Sequence, residues 1–256
     1  MADEIYFFTR SYTYDTDAVA STSGTSVGVN LPALAIDKDQ STYWETTDAA
    51  PALKIDLSEA QTIDSLWFKS SNVSKYRLYY STDDIVYNAA FAEQNSLNGV
   101  DYQIELTPRT ARYWRLDVTE EDVVGTNTII YEVLLMEHRL TLDGYDSHPS
   151  KLNIMQRDRI GGAYNLADGS ATSYSGEKAY TELEFTFSFT PQANRDNLYD
   201  LYSTPTLRPS MTIYPEPDAY SSGIYQVVWA DTDFNLVYAI GYTGSGFNGN
   251  LRFSEY

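Results

Sequence analysis

Short segments in which apolar and polar residues alternate recur along the chain, and this pattern constrains the fold more than any other feature. The alternation is clearest in Leu53–Leu57, Tyr76–Tyr80 and Tyr113–Val118, where every second residue is aliphatic or aromatic. A period of two is that of a β-strand with one buried face. Turn-forming residues separate such segments, at Asp37–Asp39, Ser81–Asp84 and Asn98-Gly99. Many short strands joined by turns predict an all-β, mainly antiparallel fold, a sandwich or a barrel.

Residues 138–178 show less regular alternation and several closely spaced turn signals. These are Asp143-Gly144, His148-Pro149, Gly161-Gly162 and Asp168-Gly169. Four aliphatic residues between them are candidates for burial: Leu152, Ile154, Ile160 and Leu166. The segment is therefore interpreted as a hairpin-rich connection rather than a free linker.

Residues 179–256 predict a second, β-rich domain with one short helix. Leu183–Phe189 alternates leucine or phenylalanine with polar residues, as expected of a strand buried on one side. Thr190-Pro191 is a cap followed by a first-turn proline, and the leucines after it at helical spacing predict a helix that ends before Pro205. Further strands are predicted at Met211–Tyr214, Tyr225–Ala230, Phe234–Tyr242 (where Phe234, Leu236, Tyr238, Ile240 and Tyr242 share a face) and Leu251–Tyr256.

The composition excludes several kinds of site. The chain has no cysteine and two histidines, His138 and His148, so disulfides, thiolate sites and a three-histidine zinc site within one chain are ruled out. A net charge of −19 repels phosphate backbones and argues against nucleic-acid binding. No apolar run is long enough for a membrane span, and the N-terminal residues predict no secretory signal. No motif nominates a catalytic pair or nucleophile, so a non-enzymatic protein is expected.

Six segments in residues 18–137 resemble, in the same order, the coagulation-factor 5/8 C-type (discoidin) domains and their family 32 carbohydrate-binding relatives. Lys38 and Asp84 stand where the family pattern has glycine, and Ala52-Leu53 stands where the family often has a tryptophan before the "I-D-L-G" phrase. The resemblance implies a jelly-roll-like β-sandwich in residues 1–137 that binds or docks and does no chemistry. The segments are Leu34–Trp44, Leu53–Ser58, Ile63–Phe68, Tyr76–Asp84, Ala111–Val118 and Ile130–Val133.

The same resemblance implies a structural Ca²⁺ at Asp37, Asp39, Thr42 and Glu132, which match the family's Asp-rich loop and the acid of its last strand. Carboxylate, hydroxyl and loop carbonyl oxygens are the ligands that such a hard cation prefers. The alternative is a turn without an ion, in which the aspartates accept hydrogen bonds from the turn's own amides.

The resemblance also implies a ligand site in loops at one end of the sandwich, although the sequence does not identify it. A sugar site combines an exposed aromatic ring with planar polar groups. Asn72, Asn95, Asn98 and Tyr102 lie in or beside predicted loops, and each is also consistent with an ordinary solvated residue.

Residues 157–256 resemble small tail or baseplate proteins of tailed bacteriophages. The resembling segments are Arg159–Gly162, Asp168-Gly169, Tyr174, Gly176–Lys178, the phenylalanine-rich strand, the helix and Tyr225–Trp229, followed by a terminal strand with Glu255.

Two functions are therefore predicted. The first is a structural or adhesion component of a phage particle, made without a signal peptide, located in the virion tail, and assembled as a homo-oligomer with other virion subunits and a host-surface glycan as partners. The alternative is an extracellular carbohydrate-binding adhesin or accessory module of a glycan-active enzyme.

Overall fold

The chain folds into two compact units. The sandwich unit is Phe8–Arg139, and the flanking unit is formed by the chain before and after it, Met1–Phe7 and Leu140–Tyr256. The computed structural model describes residues 4–15, 17–48, 50–96, 100–123, 125–142, 151–157, 163–165, 171–173, 180–205, 210–215, 223–241 and 244–255.

The first twelve strands run from the N-terminus through the sandwich unit. They are β1 (Ile5–Thr9), β2 (Val19–Thr22), β3 (Trp44–Thr46), β4 (Ala52–Ile63), β5 (Ser65–Ser71), β6 (Lys75–Ser81), β7 (Asn88–Ala89), β8 (Gln94–Asn95), β9 (Val100–Gln103), β10 (Arg109–Glu120), β11 (Thr128–Met136) and β12 (His138–Leu142). Short 3₁₀ turns lie at Tyr12–Tyr14 and Pro32–Ile36.

Two antiparallel sheets form the sandwich unit. One has the order β2-β4-β10-β6-β7, with β8 also paired to β6, and the other has the order β3-β11-β5-β9. Every second residue is buried in Leu53–Leu57 of β4 and in Trp114–Val118 of β10, where Ile55 and Leu116 are each 1% exposed. These side chains pack with Trp44, Phe68 and others from the second sheet in one core. The predicted all-β, mainly antiparallel fold is confirmed.

Five of the described non-glycine residues of the sandwich unit lie in the left-handed region, and three of them are Lys38, Ser58 and Asp84, with φ values of 74°, 63° and 59°. Lys38 and Asp84 stand at positions where the family pattern has glycine. These two turns therefore adopt the left-handed backbone conformation although they lack glycine, the residue that adopts it most easily.

The remaining elements belong to the flanking unit. They are β13 (Lys151–Arg157), β14 (Ala163–Asn165), β15 (Ala171–Ser173), β16 (Tyr180–Thr190), α1 (Gln192–Ser203), β17 (Met211–Pro215), β18 (Tyr225–Trp229), β19 (Leu236–Gly241) and β20 (Gly244–Glu255). Within the described residues α1 is the one α-helix, and no helix there is both long and apolar enough to cross a bilayer.

One sheet organises the flanking unit, with the order β12-β1-β17-β18-β20-β16-β13 and with β19 paired to β20. Its core contains alternate residues of β16, such as Phe185, together with Leu198 of α1. The predicted strand and the helix after Pro191 are therefore confirmed, but the predicted cap is wrong: Thr190 ends β16, and Pro191 stands at the N-cap position without a side-chain cap hydrogen bond. Of the residues predicted to share a face in Phe234–Tyr242, Leu236 is buried, whereas Tyr238 and Ile240 are exposed.

A bulge interrupts β16 near its end. The pairing of β16 with β20 shifts register between Phe187 and Thr190, and Phe189 has a φ of 57°. Gly246 on β20 faces this bulge, and a Cβ there would lie 2.4 Å from the carbonyl oxygen of Phe189. Only glycine fits this approach without movement of the backbone.

The boundaries of the two units differ from those predicted from the sequence. Residues 1–137 were predicted to form the first domain, whereas the structure groups Met1–Phe7 with the second unit because β1 lies between β12 and β17. In the predicted connection, β13 pairs with β16, and β14 with β15. Ile160, Leu166 and the four turn signals of this segment lie outside the described residues, as do Arg159–Gly162, Asp168-Gly169, Tyr174 and Gly176–Lys178.

Candidate cation and ligand sites

The Asp-rich loop before β3 is closed by its own hydrogen bonds. The Asp37 carboxylate accepts the amide of Asp39 at 3.0 Å, and the Thr42 hydroxyl lies 2.8 and 2.9 Å from its two oxygens. Asp39 accepts the amide and the hydroxyl of Ser41 at 2.9 and 2.6 Å. The loop therefore shows the side-chain-to-amide bonds that the ion-free alternative requires.

Glu132 is the buried member of the predicted set. It has no exposed surface, and neither carboxylate oxygen has a hydrogen-bond partner of normal geometry. An irregularity in the pairing of β11 with β5 falls between Ile130 and Glu132. Val133 and Leu135 belong to the sandwich core, so alternation turns Glu132 to the opposite face of β11.

Electrostatics connect Glu132 to the Asp-rich loop. Burial, followed by the negative charges of Asp37 and Asp39, raises the pKa of Glu132 to about 9, while the Val133 backbone and the Tyr14 side chain oppose the shift. A buried carboxylate without a partner is costly unless it is protonated or bound to a cation. The structure thus brings the charge of Glu132 within the influence of both predicted aspartates.

The residues fit a hard cation in their chemistry, although no group of three or more acidic or histidine residues in the described part of the chain is already arranged to hold one. Asp37 and Asp39 face their own loop, and would have to turn toward Glu132 to share an ion with it. The Lys38 ammonium lies 5.8 Å from the centre of the Tyr14 ring, which places a positive charge on this side of the loop.

A second cluster joins several loops at one end of the sandwich, here named the loop end. Glu45 organises it, since its two carboxylate oxygens accept the side-chain amides of Asn30 at 2.8 Å and Asn127 at 2.6 Å. Nearby side chains of Val29 and Leu31 are 84% and 53% exposed. The loop end comprises residues 27–31, 45–48, 71–75, 94–96, 120–123 and 125–128, connected by backbone and side-chain hydrogen bonds.

Two of the four predicted ligand candidates lie at the loop end. The side-chain oxygen of Asn72 accepts a hydrogen bond from the amide of Val123 at 2.7 Å, and its side-chain nitrogen donates to the carbonyl of Thr126 at 3.2 Å. Both polar atoms of the Asn72 side chain therefore stabilise a neighbouring turn. Asn95 is exposed in β8, opposite Lys75. Tyr102 lies on β9, where it pairs with Trp67 of β5, away from the loop end. Asn98 lies outside the described residues.

The roles of Asn30, Glu45 and Asn127 were not predicted from the sequence. Each is an ordinary polar residue near a turn, and Glu45 and Asn127 are 82 positions apart. The one available signal was the place of Glu45 directly after Trp44, inside the motif that carries the resemblance.

The outer side of the larger sandwich sheet is the tyrosine–arginine face. The Arg115 guanidinium lies 4.5 Å from the ring centre of Tyr87 and 4.8 Å from that of Tyr79, and it donates two hydrogen bonds to Asp117 at 2.7 and 2.9 Å. Arg112 makes the same double contact with Asp56, which lowers the pKa of that carboxyl. Because these charges satisfy one another, this face is a rigid surface rather than an open binding site.

The flanking unit contains an open cleft of about 770 Å³. The cleft lies beside the segment that joins β18 to β19. These two strands pair with different parts of β20: β18 with Phe253–Glu255, and β19 with Gly244–Gly249. Asp231 replaces the missing strand partner by accepting the amide of Arg252 at 2.7 Å and its guanidinium at 2.9 Å. This charged pair explains how the interruption is stabilised.

No curated protein matches the chain. Solved structures that the chain resembles include carbohydrate-binding modules and a fucosidase. The family 32 module of Clostridium perfringens NanJ, in complex with galactose, is 21% identical, with 51% of this chain and 99% of the module covered and a TM-score of 0.44. The chitosan-binding module 1 from the chitosanase/glucanase of Paenibacillus sp. IK-5 is 20% identical, with 49% and 97% covered and a TM-score of 0.43. A Ruminococcus gnavus GH29 fucosidase in complex with fucose is 18% identical, with 50% and 26% covered and a TM-score of 0.45.

None of these similarities supports the expected resemblance of residues 157–256 to phage tail proteins, and the role in a phage particle stays a prediction. The family model for the F5/8 type C domain matches residues 17–133. This confirms the resemblance that the sequence motifs indicated for the first half of the chain. Residues 17–133 are an F5/8 type C domain.

Proposed function

We propose that the sandwich unit is a carbohydrate-binding module whose ligand site is the loop end. The observation that carries the proposal is the position of Glu45, which holds two side-chain amides from different loops in one polar cluster. Carboxylates and amides are planar groups that exchange hydrogen bonds with hydroxyls of defined orientation. The exposed Val29 and Leu31 beside them supply the apolar surface that the C–H face of a sugar requires.

The family match supports a binding role for this unit rather than a catalytic one. The proposed ligand is a neutral glycan, since the chain carries a net charge of −19 and the loop end presents the additional acids Glu120 and Asp122. Glycans with carboxylate or sulfate groups are expected to bind more weakly, because like charges repel.

The experiment is a glycan array of the full chain, followed by calorimetry on the best ligand. Glu45→Gln and Asn127→Ala are expected to weaken binding by about 10-fold or more, since each removes part of the polar cluster. Ile85→Ser is the matched control, because Ile85 is 81% exposed in the turn after β6, at the opposite end of that strand. Absence of any glycan ligand, or equal loss in the control, would refute the proposal.

We further propose that Asp37, Asp39, Thr42 and Glu132 hold a structural Ca²⁺. The support is the buried, unpartnered carboxylate of Glu132 and its electrostatic coupling to both aspartates. A cation supplies charge neutralisation there and would join the Asp-rich loop to β11. Binding of Ca²⁺ does not depend on binding of glycan, so each proposal can fail without the other.

A further inference from the structure

Strand β19 has one unpaired edge. In the described residues it pairs with the first half of β20 and with no other strand. An edge strand presents a row of free backbone N–H and C=O groups, which can pair with a strand from another chain.

The side chains of β19 are unusually apolar for such an edge. Val237, Tyr238 and Ile240 are 62%, 56% and 81% exposed. Successive residues of a strand point to opposite faces, so Val237 presents apolar surface on one face and Tyr238 with Ile240 on the other. Tyr238 packs against Phe247 within the hairpin, with ring centres 5.4 Å apart, whereas Val237 and Ile240 leave apolar surface exposed on opposite faces of the strand.

The hairpin also lacks the features that normally protect an edge. Natural edges are blunted by lysine, other inward-pointing charges, proline or a bulge. Between Phe234 and Leu251 the sequence contains no charged residue and no proline. The pairing of β19 with β20 runs without a shift from Leu236 to Gly241.

The charge distribution selects the partner. A basic protein would be attracted to the acidic surface of a chain with a net charge of −19 rather than to its uncharged hairpin. Two copies of this chain repel one another over most of their surface, and the repulsion is least where both surfaces are uncharged. A strand that is apolar on both faces also tolerates pairing with itself, because neither face must remain in water.

We propose that two copies of this chain associate through their β19 edges, paired antiparallel about a two-fold axis. The contact continues the sheet of the flanking unit into that of the second copy. It also buries Val237, Tyr238 and Ile240 against the same residues of that copy, as expected of an isologous interface.

The first test is sedimentation velocity of the full chain over a range of concentrations, in the presence and absence of high salt. The wild-type protein is expected to form a dimer, which salt strengthens because the net charges are screened. Ile240→Lys and Val237→Lys are expected to weaken dimerisation by about 10-fold or more, since they place charges at the centre of the contact. Thermal melts of each variant establish that it is folded.

The matched control is Ile85→Lys, because Ile85 and Ile240 are both 81% exposed and Ile85 lies in the sandwich unit. A protein that stays monomeric to about 100 µM, near the weakest affinity of a specific contact, would overturn the proposal. A dimer that Ile85→Lys weakens as much as Ile240→Lys does would overturn it as well.

Cysteine scanning tests the geometry independently. The chain has no cysteine, so one introduced thiol can form a disulfide only with a second copy. A two-fold antiparallel contact predicts efficient cross-linking at one or two neighbouring positions among residues 237–240, where the two backbones come close enough for a disulfide. Equal cross-linking of Ile85→Cys, or none at any position of β19, would contradict the contact.

Discussion

Two regions of the sandwich unit concentrate charge: the Asp-rich loop with Glu132, and the tyrosine–arginine face. They differ in how their charges are neutralised. On the face, Arg115 and Arg112 each donate two hydrogen bonds to a carboxylate and lie over a tyrosine ring. In the loop region Glu132 is fully buried, and neither of its carboxylate oxygens has a hydrogen-bond partner of normal geometry.

On the face, each charge is neutralised by a side chain of the protein. The Glu132 carboxylate instead needs a proton or a cation from solution. A half-exposed ion pair contributes little, and its contribution is screened by salt. A buried carboxylate without a partner destabilises the folded state until a proton or a cation neutralises it. The two regions should therefore respond differently to pH, to Ca²⁺ and to substitution.

The largest expected effect is a pH dependence due to Glu132 in the absence of Ca²⁺. Its pKa is about 9 in the folded protein and 4.5 ordinarily, so between these values the folded state retains a proton that the unfolded state has lost. Stability contributed by this group is fully present below about pH 4.5 and is lost progressively as the pH rises from there to about 9. Chemical denaturation in a chelator should show this decline for the wild type relative to Glu132→Gln.

The control for this prediction is Glu59→Gln, which removes an exposed carboxylate from β4. It should leave the slope unchanged. Parallel curves for the wild type and Glu132→Gln would show that Glu132 does not titrate in this way.

The next effect is stabilisation by Ca²⁺. At a concentration 100 times the dissociation constant, a ligand that binds only the folded state adds about 2.7 kcal/mol to the free energy of unfolding. For a chain of this size we expect Ca²⁺ to raise Tm by about 5–10 °C in calorimetry. Glu132→Gln and Asp37→Asn should abolish the increase, whereas Asp122→Asn, an exposed acid at the loop end, should retain it.

A smaller effect is expected on the tyrosine–arginine face. Arg115→Lys loses the planar contact with two rings and the double hydrogen bond to Asp117, and should lower the free energy of unfolding by about 1 kcal/mol. Arg112→Lys is the matched variant, because Arg112 has the same double contact with Asp56 but lies over one ring, 5.0 Å from its centre. Urea unfolding should rank Arg115→Lys as the more destabilised, and the reverse order would contradict the role given to ring stacking.

The smallest effect is expected from Lys38→Gly. Glycine relieves the left-handed backbone at φ 74°, and the gain, less the entropy that glycine loses on folding, is about 0.5 kcal/mol. Ser58→Gly provides the same backbone relief at φ 63° without a change of charge. Titration with Ca²⁺ should show tighter binding for Lys38→Gly alone, since only that variant removes a cation beside the loop.

The parts of the fold that depend on local pattern were predicted from sequence. Alternation identified the strands around Ile55, Leu78 and Leu116, and the Thr190-Pro191 signal identified the helix. The motif placed Asp37, Asp39 and Thr42 in one loop, and the structure gives that loop. Whether these residues bind an ion stays a prediction.

The parts that depend on distant contacts were not predicted. β1 contains the successive buried residues Tyr6, Phe7 and Phe8, which show no alternation, and it lies between strands that follow it by more than 120 positions. Phe189 continues the alternation of β16 in sequence, yet a bulge that depends on Asn248 and Gly246 changes its backbone. Glu45 could not be assigned because its partners come from separate turns.

The sandwich unit is inserted into the flanking unit, because the chain forms β1 before it and the remaining strands of that sheet after it. The amide of Thr9 donates to the carbonyl of Glu137 at 2.9 Å, so the two ends of the insertion lie side by side. During synthesis the inserted unit can complete its own core before β17, the partner of β1, has been made. β17 follows β1 by about 200 residues, which takes tens of seconds at the slower rates of translation. We therefore expect the F5/8 type C domain to fold first on the ribosome, and by joining its own ends to bring β1 next to β12 before the rest of the sheet exists.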